Sequence, residues 1–117
     1  MLLKHLRKVA KIMLRIFNVK KGDDFSFTLR FKDLPIDLDT CRFGIKSSYE
    51  SETMLIEKTL NNGIDKIDTN IYRVTIPHTD TDTLKADQYV YDLRFTVGGI
   101  ISTPLSGIIN IEETVFD

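Results

Sequence analysis

Apolar and polar residues alternate along most of the chain after residue 12, which is the pattern of β-strands that bury one face. The clearest alternation covers residues 25–31, where three phenylalanines and a leucine are separated by Ser26, Thr28 and Arg30. An equally regular pattern covers residues 89–97, with tyrosine, leucine, phenylalanine or valine at every second position. Further strands are predicted at residues 13–19, 41–46, 54–60, 71–76, 100–103 and 107–114.

Turn residues separate these segments. Gly22 lies in a Lys-Lys-Gly-Asp-Asp sequence, and Gly98-Gly99 has the glycine pair of a tight two-residue hairpin. Pro104 has no backbone N–H to donate, so we expect it to interrupt the last strand. The predicted loops are residues 33–39 and 78–83. Seven or eight short strands with these turns and no internal helix favour an all-β fold, either an antiparallel two-sheet sandwich or a small barrel.

Two segments permit more than one interpretation. Residues 54–60 fit one strand or two helical turns, and the Asn61-Asn62-Gly63 turn that follows favours the strand. Tyr89 follows Leu84 by five residues and opens a long strand. In immunoglobulin-like sandwiches a tyrosine at such a corner bonds to upstream backbone, but an ordinary inward-facing aromatic residue fits the pattern equally well.

The N-terminal end differs in charge from the rest of the chain. The first 21 residues carry seven lysines and arginines and no acid, a charge of +7, whereas the remainder carries 9 basic and 17 acidic residues, a charge of −8, and the two sum to −1. We expect residues 1–12 to form a short basic arm or helix, followed by one domain over residues 13–117. Such an end either docks on an anionic partner or is simply solvated. The candidate partner-binding residues are Lys4, Arg7, Lys8, Lys11 and Arg15.

The sequence contains no recognisable catalytic or metal-binding motif. The single cysteine, Cys41, excludes an intramolecular disulfide and lies on an inward strand face, where it is expected to be a core residue. His78 has no carboxylate or nucleophile at a spacing that predicts a site. The aspartates of residues 78–83 lack the glycine and terminal glutamate of an EF-hand loop. We therefore expect no enzymatic activity, no catalytic residues, no metal and no cofactor.

The order of the strand and turn sequences resembles a known group of proteins. These sequences are KKGDDFSFTLRF at 20–31, DLPIDLDTCRFGIK at 33–46, LIEKTLNNGI at 55–64, TDTLKADQYVYDLRF at 81–95 and GGIISTPLSGIINIEETV at 98–115. Together they look like the small immunoglobulin-like proteins of tailed phages and prophages. The chain departs from that pattern at Ala86 and Asp87, where Pro-Gly is usual.

The resemblance implies an immunoglobulin-like antiparallel β-sandwich of about seven strands. It further implies a non-enzymatic structural protein of the virion, an adaptor or decoration module in the baseplate, tail or capsid accessory parts. Such a protein is assembled in the host cytoplasm, and its partners are other virion proteins in a homo- or hetero-oligomeric assembly. The basic arm and the exposed edge strands are the expected contacts.

The alternative function is a carbohydrate-binding or cell-surface, adhesin-like module. Such a module needs exposed aromatic side chains on loops, and only Tyr49 lies outside the regular alternation. Nucleic-acid binding is not expected of the body, because it is acidic and its aromatic residues fall on the predicted core face. No run of about 18 apolar residues predicts a membrane-spanning helix.

Overall fold

A computed structural model gives the structure of residues 13–32 and 35–116. The predicted arm, with Lys4, Arg7, Lys8 and Lys11, lies outside these ranges. The strands are β1 (Met13–Lys20), β2 (Phe25–Arg30), β3 (Thr40–Lys46), β4 (Ile56–Leu60), β5 (Gly63–Asp68), β6 (Ile71–Ile76), β7 (Asp87–Val97) and β8 (Ile100–Glu112), with one helical turn, α1 (His78–Thr81), between β6 and β7. Within the described ranges, no helix is long and apolar enough to cross a membrane.

The strands are hydrogen-bonded in the order β1-β8-β7-β3-β4-β5-β6-β2. All neighbours are antiparallel except β1 with β8 and the short β4–β5 contact, in which Thr59 and Leu60 lie opposite Gly63 and Ile64. At this contact the sheet folds back on itself into two layers. One layer contains β2, β6 and β5, and the other contains β1, β8, β7, β3 and β4. The protein is an all-β, immunoglobulin-like β-sandwich, as predicted, with eight strands where about seven were expected and two parallel strand pairs where an antiparallel sandwich was expected.

The core consists of the inward-facing residues of both layers. Residues 41, 43 and 45 of β3 and alternate residues of β7 are buried, which confirms the predicted inner faces. Aromatic rings join the layers: the centroids of Phe27 and Phe43 are 5.3 Å apart, and so are those of Phe31 and Phe95. Each buried phenylalanine contributes about 1.5–3 kcal/mol by leaving water.

Tyr89 occupies a tyrosine corner, which decides between the two interpretations of this residue. Its side chain is 5% exposed, and its hydroxyl donates a hydrogen bond to the Lys85 carbonyl at 2.7 Å. The bond holds the connection before β7 against the sandwich despite the absence of Pro-Gly at Ala86 and Asp87.

Pro104 does not interrupt the last strand, and that prediction is wrong. β8 is continuous from Ile100 to Glu112, and its pairing with β7 shifts between Phe95, opposite Ser102, and Leu93, opposite Leu105. Two residues of β8 therefore oppose one of β7, which is a β-bulge, and a bulge tolerates a residue without an N–H donor.

Two further differences concern short elements. β5 was not predicted, because only Ile64 of its six residues is buried and a strand with one buried position shows no alternation. Residues 78–83 are not entirely a loop, since α1 occupies His78–Thr81. The prediction of a strand near residues 54–60 is confirmed for Ile56–Leu60, while Met54 and Leu55 precede β4.

Candidate functional site

Arg15 is the only predicted partner-binding residue among those that the structure describes. Its side chain is exposed on β1, the strand at one end of the sheet order. Its backbone is firmly held, because the Tyr91 hydroxyl donates to the Arg15 carbonyl at 2.8 Å. Arg15 is therefore a solvent-facing cation on a strand that is anchored from the core side.

A close approach between strands explains how β1 is held. Arg15 lies opposite Gly107 of β8, and a Cβ atom built on Gly107 would lie 2.2 Å from the Arg15 carbonyl oxygen. Gly107 also has a φ of +156°, which residues with a side chain rarely adopt. Only glycine lets β8 come close enough for the Tyr91 hydroxyl to reach across to β1.

Among residues 13–32 and 35–116, the two sheet edges without a pairing strand lie on the same side of the sandwich. β1 and β2 end the strand order, and residues 21–24 alone connect them. Three partly buried rings lie between these strands: Phe17 is 5.0 Å from Phe25 and 5.3 Å from Phe27, centroid to centroid. We call this region, formed by the two free edges and the three phenylalanines, the seam. On the opposite side, the β4–β5 contact closes the sandwich.

Exposed apolar side chains accompany the β1 edge. Ile16 of β1 is 64% exposed, and Ile101 of β8 is 66% exposed. In the described part of the chain, β1 pairs with β8 only from Leu105 onward, so residues 100–104 of β8 have no strand on that side. Free backbone groups next to exposed isoleucines are features that invite pairing with another strand.

A second surface feature is a groove of about 320 Å³ on the outer face of β3, β4 and β7. The loop of residues 47–55 folds back over this face and contributes Tyr49 and Met54 to the wall. Met54 lies over Gly44, where an added Cβ would come within 2.7 Å of the methionine sulfur. The remaining lining residues include Arg42, Lys46, Glu57, Val90, Asp92 and Arg94.

The groove contains two arginines directly opposite each other. Arg42 of β3 and Arg94 of β7 are cross-strand partners. Arg42 Nε donates to Glu57 Oε2 at 2.6 Å, and Arg94 Nε donates to Thr103 Oγ1 at 3.0 Å. Like charges placed opposite one another destabilise a sheet, and the nearby carboxylates of Glu57 and Asp92 offset that repulsion.

The acidic and aromatic groups of the groove are partly shielded from water. Burial raises the pKa of Asp92, and the charges of Arg94 and Lys46 oppose that effect. Burial also raises the pKa of Tyr49, and the charge of Asp92 raises it further. Hydrogen bonds with Ser106 and the Gly107 backbone act in the opposite direction and lower this pKa. Tyr49 is nevertheless 56% exposed, so its ring is available at the mouth of the groove.

His78 has a carboxylate partner that the sequence does not indicate, because 54 residues separate the two. Asp24 Oδ1 lies 3.0 Å from His78 Nδ1 and also accepts the His78 backbone N–H at 2.6 Å. These bonds lower the pKa of Asp24, the backbone bond contributing most. The His78 side chain is 63% exposed and the Asp24 side chain is 74% exposed. Their contact connects α1 to the turn between β1 and β2.

The aspartates that suggested a cation site are held in ion pairs. Asp80 Oδ2 lies 2.6 Å from Lys58 Nζ, and Asp82 Oδ1 lies 4.0 Å from Lys21 Nζ. Among residues 13–32 and 35–116, no three His, Cys, Asp or Glu side chains converge as a metal site would require. Cys41 is 1% exposed, and burial raises the pKa of its thiol to about 12.

The sequence predicts edge-strand contacts in general, but neither the seam nor the groove could be located from it. Edge strands were the expected contacts, although the sequence does not say which strands lie at the edges. The groove depends on which outward-facing residues of β3 and β7 are opposite one another, and alternation alone does not specify the pairing register.

Comparison with known proteins shows the fold but no family. No protein-family model and no curated protein matches the chain. CopC from Methylosinus trichosporium OB3b has a similar structure, with 15% identity, a TM-score of 0.50 and coverage of 86% of this chain and 88% of CopC. A likeness at this identity is one of fold alone.

Two other solved structures are less similar. A candidate glycoside hydrolase from Bacteroides vulgatus ATCC 8482 is 17% identical with a TM-score of 0.49, and the match covers 84% of this chain but only 16% of the hydrolase. The extracellular domain of a voltage-gated sodium channel β4 subunit, described as parallel homodimers with a role in cell–cell adhesion, is 9% identical with a TM-score of 0.41. That match covers 87% of this chain and 93% of the β4 domain.

Proposed function

We propose that this protein is a non-enzymatic structural module of a phage virion, an adaptor or decoration subunit that contacts its neighbours through the seam. A neighbouring virion subunit lays a strand along the free edge of β1 or β2 and covers the phenylalanines between them. The arm of residues 1–12, with its four cations, contributes to the same contacts.

The observation that supports this proposal is the position of both free edges on one side, with three partly buried rings between them. An added strand gains main-chain hydrogen bonds from the edge and buries the rings and Ile16 at the same time. Each such contact is weak, but the contacts of many copies in a symmetric particle add up to a stable assembly.

Proteomic analysis of purified particles tests the virion assignment. We expect the protein at a fixed ratio to the tail or baseplate subunits after extensive washing. Absence from particles, while the protein is present in the infected cell, would exclude the virion role.

Site-specific cross-linking tests the seam itself. The only native thiol is buried, so a cysteine introduced at exposed Ser26 on the β2 edge is the reactive one. A thiol-linked photo-cross-linker on Ser26→Cys is expected to capture a neighbouring subunit in particles. The same label on Ser47→Cys, exposed beside the groove, is the control, and capture from Ser47 alone would show that the contact lies elsewhere.

A carbohydrate-binding or cell-surface role is the second candidate, and the position of Tyr49 favours it. An exposed aromatic ring at the mouth of a groove lined with charged groups is a suitable platform for a sugar ring. A glycan array with the full chain is expected to show saturable binding that Tyr49→Ala abolishes.

A further inference from the structure

The groove contains both hydrogen-bond donors and hydrogen-bond acceptors, and a single ligand would have to bind both. The bonds to Glu57 and Thr103 each engage one N–H of a guanidinium that has five. The opposed pair of Arg42 and Arg94 therefore offers further donors pointing to the same outer face. A carboxylate is the planar acceptor that such donors bind best, often in a bidentate manner.

Hydrogen-bond acceptors lie beside the arginines. Asp92 and Glu57 both lie opposite Gly44, one on each neighbouring strand. Two strand spacings separate their Cα atoms by roughly 10 Å, and the Met54 thioether lies over the glycine between them. These carboxylates would repel a second simple acid, but they accept hydrogen bonds from hydroxyl groups.

The walls complete the site. Tyr49 presents an exposed ring at the mouth, and the Met54 thioether covers Gly44. A volume of about 320 Å³ is at the small end of the range for ligand sites, roughly 300–1,000 Å³. A ligand of this size needs a carboxylate for the arginines, hydroxyls for the acids and a flat face for the tyrosine.

We propose that the groove binds an acidic monosaccharide unit, such as a uronic acid, with its carboxylate on Arg42 and Arg94. The sugar hydroxyls donate to Asp92 and Glu57, and one face of the ring stacks on Tyr49. An acidic peptide side chain has a carboxylate but no hydroxyls for the two acids, which favours the sugar. This inference rests on the second candidate function and names its ligand class.

Titrations followed by amide chemical shifts in the full chain test the inference. Three probes are compared: sodium glucuronate, glucose, and N-acetylglutamate as a carboxylate of the peptide type. We expect glucuronate to shift the amides of Gly44 and Arg94 saturably, and to bind at least tenfold more tightly than the other two probes. Arg94→Gln is expected to weaken glucuronate binding about tenfold or more, which corresponds to the loss of about 1.4 kcal/mol.

Two variants separate recognition from folding. Arg73→Gln removes an exposed strand arginine from β6 in the other layer and is expected to leave binding unchanged. Tyr49→Ala changes an exposed loop residue and is expected to weaken binding while the urea midpoint stays the same.

Each alternative result has a definite meaning. Equal binding of glucose would overturn the role of the arginine pair while leaving the second candidate function in place. Equal binding of N-acetylglutamate would overturn the sugar and assign the groove to acidic peptides. If neither sugar binds, the inference fails, the glycan array decides separately whether the second candidate function fails with it, and the seam proposal is unaffected.

Discussion

Three buried tyrosines hold separate parts of the chain against the core through their hydroxyl groups. The Tyr72 hydroxyl accepts the Leu38 backbone N–H at 3.0 Å and holds the loop before β3. Tyr89 holds the connection before β7, and Tyr91 holds β1. In each case a buried aromatic ring fills the core while its hydroxyl bonds to a backbone group of another segment.

Removal of the Tyr89 hydroxyl tests this role. Tyr89→Phe leaves the Lys85 carbonyl without its donor, so we expect the free energy of unfolding to fall by about 1–2 kcal/mol. Urea denaturation measures the change. Tyr49→Phe is the control, because at this 56% exposed position water can replace the contacts with Ser106 and Gly107, so that a loss above about 0.5 kcal/mol is unexpected. Equal losses in both variants would contradict the corner's contribution.

Burial of the Cys41 thiol makes stability depend on pH in the alkaline range. The pKa of the thiol is about 12 in the folded protein, against an ordinary value of 9.0. Below pH 9 both states keep the proton and the contribution is fully present. Between pH 9 and 12 only the unfolded state releases it, so stability falls as the pH rises.

The expected loss from this thiol is about 1 kcal/mol between pH 9 and pH 10. Urea midpoints of the wild type and of Cys41→Ala, measured over this range, check the sign and the size. The wild type should lose stability more steeply than the variant. Parallel pH profiles would show that the thiol does not titrate differently on unfolding.

At the scale of secondary-structure elements, the packing of β1 against β8 depends on a single residue, Gly107. β1 is an edge strand paired in parallel with β8, and its pairing places Arg15 against Gly107. The same strand provides Phe17 and Ile16 to the seam. A change that separates β1 from β8 therefore removes both a strand and one side of the proposed contact surface.

Gly107→Ala is expected to displace β1. The new Cβ would meet the Arg15 carbonyl oxygen, and the positive φ adds strain, so we expect a loss of about 2–4 kcal/mol. Gly98→Ala is the matched control, because that glycine also has a positive φ but no atom within 4 Å of the added Cβ, so it should cost about 1 kcal/mol. Urea denaturation gives the losses, and hydrogen exchange should show lost protection in β1 for Gly107→Ala alone.

At the scale of the whole molecule, the sandwich formed by the described residues is closed on one side and open on the other. The β4–β5 contact joins the layers on the closed side, and the turn between β1 and β2 joins them at one end of the open side. Among the described residues, three of the five partly buried apolar side chains that pack against the core are the phenylalanines of the seam.

Substitution of exposed isoleucines tests the seam without changing the core. Ile16→Lys is expected to abolish incorporation into particles while changing the free energy of unfolding by less than about 0.5 kcal/mol. Ile67→Lys, at a 44% exposed position on β5 away from the seam, is expected to incorporate normally. Quantitative mass spectrometry of particles gives both results, and normal incorporation of Ile16→Lys would contradict the proposed contact.

The sequence by itself determined the class of fold, most strands and their inner faces. Alternation along β2, β3 and β7 specifies which side chains are buried, because each strand places every second residue on one face. It did not reveal β5, which buries only Ile64, or the continuity of β8 through Pro104, which depends on a bulge between two strands.

Only the tertiary structure decided which strands are at the edges and which outward-facing residues meet. The seam requires β1 and β2 to end the strand order, and the groove requires Arg42 to lie opposite Arg94. Likewise Asp24 reaches His78 across 54 residues of chain. Hydrophobic periodicity is a local property that fixes one face of one strand, whereas these sites arise from pairing between strands that are distant in sequence.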